Sequence, residues 1–181
     1  MNRLLVLCLP LVLAACAGTP DVRYYLLPPA PSTPATASES AASVEVRLAG
    51  YLASPSIAYR QGPVQVSLAQ FHQWAEAPQP MLRRALAERL STRTGRAWLT
   101  QGNSTAPRVI VDVSEFGGSD DGTARVGGQY RFVASDGKAQ ASWPFDIRVP
   151  QQGDGYAALA KALGEGVDRL AGEIAARPLP R

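Results

Sequence analysis

Two periodicities divide the chain into elements. Val44-Glu45-Val46-Arg47-Leu48 alternates apolar and charged residues, the signature of a half-buried strand. Ser56-Ile57-Ala58-Tyr59-Arg60 and Val64-Gln65-Val66-Ser67-Leu68 flank Gln61-Gly62-Pro63, which predicts a hairpin. Between these strands Gly50 to Pro55 reads as irregular. Pro78 and Pro80 then precede a helical spacing, with Met81, Leu82, Ala85, Leu86 and Leu90 on one side, Arg83, Arg84 and Glu88 on the other, and Gly95 as the stop. Pro107 to Phe116, with Val109, Val111 and Val113 on one face and Asp112 and Ser114 on the other, predicts a strand. Gly117 to Gly122 reads as a loop, and Thr123 to Ala134 as a further strand. Asp136-Gly137 marks a tight turn. Ala139 to Val149 is the next strand, which Pro144 consigns to an edge or a bulge. Asp154 is a candidate cap for a last helix carrying Leu159, Leu163, Val167, Leu170 and Ile174, weakened by Gly164 and Gly166 and ended by Arg177-Pro178. The expected fold is α+β, a mainly antiparallel sheet with two amphipathic helices packed on one face.

Ahead of these elements, Asp21 to Leu27 reads as a short aromatic strand stopped by Pro28-Pro29. Residues 28–43 are then Pro, Ala, Ser and Thr with the single charge Glu39, a solvated loop unable to bury a core. At the start, Arg3 precedes an apolar run from Leu4 to Leu13 broken only by Pro10. A basic start, a short apolar run and small residues at its exit make residues 1–15 a secretory signal peptide. A bilayer-spanning helix needs about 20 apolar residues, more than this run offers. Leu13-Ala14-Ala15-Cys16 looks like the lipobox of bacterial lipoproteins, which implies that Cys16 carries a diacylglyceryl anchor and begins the mature chain. In enteric lipoproteins Asp after that cysteine marks inner-membrane retention, so Ala17 implies the outer membrane. The division expected is thus 1–15 signal peptide, 16–22 lipidated tether, and 23–181 one domain with an internal loop at 28–43. If the strand at Tyr24 to Leu27 docks on the sheet, residues 17–22 reach at most ~20 Å and hold the domain against the membrane.

Composition narrows the chemistry. With Arg3 gone, 17 basic side chains face 15 acidic ones, scattered among one another, so there is no basic face for nucleic acid. Cys8 leaves with the signal peptide and Cys16 is consumed by lipid, so the domain stands on packing without a disulfide or thiolate metal site. No cofactor is expected beyond the covalent acyl lipid.

Val44 to Leu48, then Tyr51-Leu52, Pro55 and Ile57 to Arg60, then Phe71 and Trp74-Ala75-Glu76 before an Arg/Ala/Leu helix, resemble the PqiC family. Tyr24-Tyr25-Leu26-Leu27-Pro28 and the Leu-rich last helix match as well. Where the family usually has Arg before Trp74, this chain has Gln73. The resemblance implies an auxiliary lipoprotein of MCE-type or ABC-type transport systems, lipid-anchored on the periplasmic face of the outer membrane. It implies an MCE-domain periplasmic partner (PqiB-like), an inner-membrane permease or ABC transporter reached through that partner, a homo-oligomeric ring, and no reaction of its own. A different binder, an outer-membrane lipoprotein that regulates a cell-wall synthase or binds peptidoglycan, is the alternative.

The candidate partner-binding residues are Tyr59, Arg60, Trp74 and Glu76, residue types enriched as interface anchors. The competing reading has Trp74 plugging the sheet–helix junction and Arg60 pairing Glu76. His72 is the only histidine and has no partner for metal or acid–base work. Asp120-Asp121 lacks the ligand spacing of an EF-hand and reads as a hairpin tip. Gly127-Gly128 within a strand marks a bulge or a close backbone approach.

Overall fold

The computed structural model describes residues 21–30, 41–102 and 106–180. Cys16, the proposed signal peptide, the tether before residue 21 and residues 31–40 of the Pro-rich stretch lie outside the described residues. The elements follow as β1 (Arg23–Tyr25), β2 (Ala42–Leu48), a 3₁₀ turn (Gly50–Ala53), β3 (Ser56–Gln61), β4 (Gln65–Trp74), α1 (Pro78–Thr94), β5 (Trp98–Leu99), β6 (Arg108–Ser119), β7 (Thr123–Val133), β8 (Trp143–Pro150) and α2 (Gly155–Ala175).

The sheet is built around β6. Along one edge β7 pairs antiparallel from Arg108↔Val133 to Gly118↔Ala124, and β8 adds to β7 as the outer strand. Along the other edge β2 runs parallel from Ser43↔Arg108 to Leu48↔Val113. Further on, β3 takes its place, from Ala58↔Gly117 to Arg60↔Ser119. The 3₁₀ turn joins them where β6 bulges between Val113 and Glu115. There Ala49 N–H donates to the Val113 carbonyl at 2.9 Å, and the Tyr51 hydroxyl donates to the Ser114 carbonyl at 2.7 Å. The interruption therefore leaves neither carbonyl unpaired.

The sheet is mixed rather than mainly antiparallel: β1·β4, β2·β5, β2·β6 and β3·β6 are parallel. For β5 and β6 the reason is α1, which carries the chain across the sheet and returns it in the direction of β2 and β3. Other boundaries also shift. The second hairpin strand runs on to Trp74, and β8 starts at Trp143 rather than Ala139. Gly117 and Gly118 belong to β6 rather than to a loop. A Cβ on Gly117 would strike the Ala58 carbonyl, and one on Gly118 would come within 2.6 Å of the Tyr59 ring. Both glycines serve close strand packing.

Pro78 and Pro80 lie inside the first turn of α1, where a missing N–H costs nothing, and Gly95 ends the helix at φ 65° with its N–H on the Ser91 carbonyl. Asp154 occupies the N-cap of α2 without a side-chain capping bond. The two helices pack on each other, α1 over β2 and α2 over β7 and β8, so both cover one face. Val109, Val111, Leu90, Leu163 and Val167 are fully buried between them, each worth about 1.5–3 kcal/mol.

The short strand at the start is docked. Arg23, Tyr24 and Tyr25 align in parallel with His72, Gln73 and Trp74, and the Tyr25 carbonyl accepts from Ala75 N–H at 2.8 Å. Its continuation crosses onto the helices. The Pro28 ring sits where a Cβ on Gly164 would be, and Arg89, 3 % exposed, donates to the Pro28 carbonyl at 2.9 Å and the Ala85 carbonyl at 3.1 Å.

Candidate functional site

The face of the sheet away from the helices is polar because each strand directs alternate side chains outward. On β6 and its neighbours those positions hold opposite charges. Asp112 pairs with Arg131 at 2.6 Å, Glu45 with Arg47 at 2.7 Å, and Asp146 with Arg148 at 2.9 Å. Arg60 on β3 reaches across the sheet to Glu115 at 2.5 Å, and Arg125 on β7 approaches the same carboxylate at 3.5 Å. The result is a lattice of compensated charge with an open groove of about 460 Å³ beside Arg47, Asp112, Ser114, Gln129 and Pro144. Donors and acceptors arranged in this way suit the polar rim of a protein interface.

The four candidates do not gather at one place. Tyr59 and Arg60 stand near the turn of the β3–β4 hairpin, since Arg60 aligns with Val66 and Gln61 with Gln65. Trp74 and Glu76 stand at the other end of β4 and the start of α1. Neighbouring residues on a strand also face opposite ways. The Tyr59 ring lies over Gly118 toward α2, whereas Arg60 points to the polar face.

Trp74 is 3 % exposed and its ring lies 5.5 Å from that of Phe116, so it fills the junction between sheet and helices. Glu76 pairs with Arg84 on α1 rather than with Arg60, one of the two bonds measuring 2.7 Å. The Arg84 guanidinium, chiefly through this hydrogen bonding, lowers the Glu76 carboxyl below its ordinary value. Glu115, Arg60's actual partner, lies beyond the β6 bulge, where strand alternation alone points it to the wrong face.

His72 is part of the packing. The Tyr25 hydroxyl lies 2.8 Å from its Nδ1, and its ring stacks on Tyr156 at 3.9 Å. Burial raises the Tyr156 hydroxyl above its usual value, so the cluster stays uncharged at that ring. Asp120 accepts from Gly62 N–H at 2.8 Å and ties the β6–β7 turn to the β3–β4 turn, and Asp121 accepts from the Thr123 hydroxyl at 2.6 Å and closes its own turn. Gly128, at φ 156°, lets the Asp112 carbonyl approach where a Cβ would otherwise sit. Among the described residues no group of three or more His, Cys, Asp or Glu side chains converges as a metal site, and no helix is long and apolar enough to cross a membrane.

Two solved structures share this fold. A crystal structure of an uncharacterised protein superposes with a TM-score of 0.75 at 26 % identity, covering 86 % of this chain and 97 % of the other. A Xanthomonas campestris protein assigned to family DUF330 has a TM-score of 0.65 at 18 % identity, covering 84 % and 92 %. No curated protein matches the sequence. Residues 24–175 match the family model of the ABC-type transport auxiliary lipoprotein component, a span running from the docked β1 to the end of α2. The chain belongs to this PqiC-like family of auxiliary lipoproteins of transport systems.

Proposed function

We propose that the protein is the outer-membrane docking piece of an intermembrane lipid transport system. Anchored through acyl chains on Cys16, it receives the periplasmic MCE-domain conduit (PqiB-like), with an inner-membrane permease or ABC transporter at the conduit's other end. It performs no reaction, and copies assemble as a ring, the closed form that head-to-tail contacts allow. The observation that carries the reading is the pairing of β1 with β4. With β1 in the sheet, residues 17–22 reach at most ~20 Å, so the lipid holds the folded domain against its bilayer. The compensated charge of the polar face supports a protein partner there, since alternating charges give register and specificity more than raw affinity.

Arg60 is the anchor this reading retains on the polar face; Tyr59, turned toward α2, lies on the other side of the strand. Trp74 and Glu76 act through the fold. The test is isolation of the acylated protein from crosslinked envelopes. Recovery of an MCE-domain protein is expected; recovery of a peptidoglycan synthase or of the cell wall in its place overturns the reading. Incorporation of labelled palmitate into the wild type and its loss in Cys16→Ser checks the anchor.

A further inference from the structure

On the otherwise ion-paired outer face the β3–β4 hairpin stands apart. Val64 is 93 % exposed, and Val66 and Leu68 are 38 % and 43 % exposed. Val66 and Leu68 occupy alternate positions of β4, so their side chains share one face, and Val64 stands in the turn just before them. From Gln61 to Ala75 the sequence has no Asp, Glu, Lys or Arg. Edge strands facing water are ordinarily blunted by such charges. β1 pairs only with His72–Trp74 and gives the earlier part of β4 no such cover.

The parallel register of β1 gives the direction in which the chain enters the domain. Since Arg23 aligns with His72 and Tyr25 with Trp74, the chain upstream of Arg23 leaves back along β4 toward the hairpin turn. From His72 to Gln65 is about 23 Å at strand spacing, and residues 17–22 reach at most ~20 Å. The seven steps from Arg23 back to Cys16 span at most about 25 Å, long enough to reach the hairpin end of β4. The β6–β7 turn lies at this same end, since Asp120 accepts from Gly62 N–H. The β7–β8 turn, with Lys138, lies at the far end of those strands.

We propose that the hairpin tip is a membrane-contacting finger, with Val64, Val66 and Leu68 resting in the interfacial region of the leaflet that holds the Cys16 acyl chains. This rests on the lipid-anchor reading of Cys16. The uncovered N–H and C=O groups of β4 fix the depth, because they must stay among hydrated headgroups and out of the hydrocarbon. Near the tip Arg60 is ion-paired with Glu115, while Asp120 and Asp121 accept hydrogen bonds from the neutral Gly62 N–H and Thr123 hydroxyl and stay negative. With no unpaired cation at the tip, contact is carried by the apolar side chains and does not call for anionic lipid.

The test uses the full acylated protein in phosphatidylcholine vesicles with no transport partner present. Once residues 1–15 are removed and Cys16 is acylated, Val64→Cys supplies the single free thiol, and Lys138→Cys a control on a side chain 87 % exposed. Each carries an environment-sensitive fluorophore. The label at 64 is expected to shift to the blue and be quenched by headgroup-region nitroxide lipids at low and high salt, while the label at 138 stays aqueous. Equal, aqueous signals at both positions overturn the finger. So does a blue shift at 64 that nitroxide lipids leave unquenched, which is contact with a second protein copy. Because no MCE protein is present, failure here is separate from failure of the docking reading, and intact mass reports acylation independently. A mass without acyl chains overturns both anchor and finger.

Discussion

Arg60 and Trp74, both attractive as interface anchors, turn out to be different kinds of residue. Trp74 is enclosed against Phe116, and large-to-small changes at such sites cost about 3–5 kcal/mol. Trp74→Ala is therefore expected to lower unfolding free energy by that amount in chemical denaturation. Arg60 keeps about a quarter of its side chain exposed and pairs with a carboxylate exposed to a similar degree. Its removal costs about 1 kcal/mol or less, so Arg60→Ala should melt close to wild type while losing the MCE protein in co-purification. The Glu76 carboxylate is stabilised by Arg84 and titrates below its ordinary value of 4.5. A depressed carboxylate contributes stability that is complete above its unfolded pKa and lost as pH falls through the folded value. The difference in melting temperature between wild type and Glu76→Gln should hence be constant from neutral pH down to about 4.5, then shrink in stronger acid.

At the scale of elements, periodicity made both helices and the strands other than the two-residue β5 legible, because burial of one face imposes its own spacing. It could not give strand direction: Val44 to Leu48 reads the same beside a parallel or an antiparallel neighbour. The glycines were similarly ambiguous. Gly117 and Gly118 read as loop residues because their reason for being small is a neighbour distant in sequence. Arg89 was within reach. It follows Leu82 by seven residues and so lies on the stripe facing the core, where a charge is an anomaly that calls for a partner. Its partners are the Pro28 and Ala85 carbonyls and, at 3.9 Å, the Asp168 carboxylate of α2. Arg89→Ala should loosen the segment from Arg23 to Pro28 before the rest of the domain, visible as faster hydrogen exchange at Ala75, whose N–H bonds the Tyr25 carbonyl. Gly164→Ala reverses an ordinary rule. An isolated helix would gain about 1 kcal/mol, but the new methyl would meet the Pro28 ring within 2.6 Å, so the variant should be less stable than wild type in thermal melts.

As a whole the molecule has a polar, ion-paired face, a helical face, and a chain entry beside the charge-free strand β4. The site was less legible than the fold because three of its relations, Arg60 with Glu115, Glu76 with Arg84 and Tyr51 with Ser114, depend on the β6 bulge or on the turn into α1. The resemblance to the PqiC family located the stretch that holds Tyr51, Arg60, Trp74 and Glu76 without supplying their partners. The parallel pairing of β1 with β4 also has a mechanical side. A tug on the chain upstream of Arg23, directed along the strand, loads the β1 bonds in shear, all at once, whereas a hairpin pulled open yields bond by bond. With Arg89 holding Pro28 just beyond, the attachment resists best when the load runs along the strand.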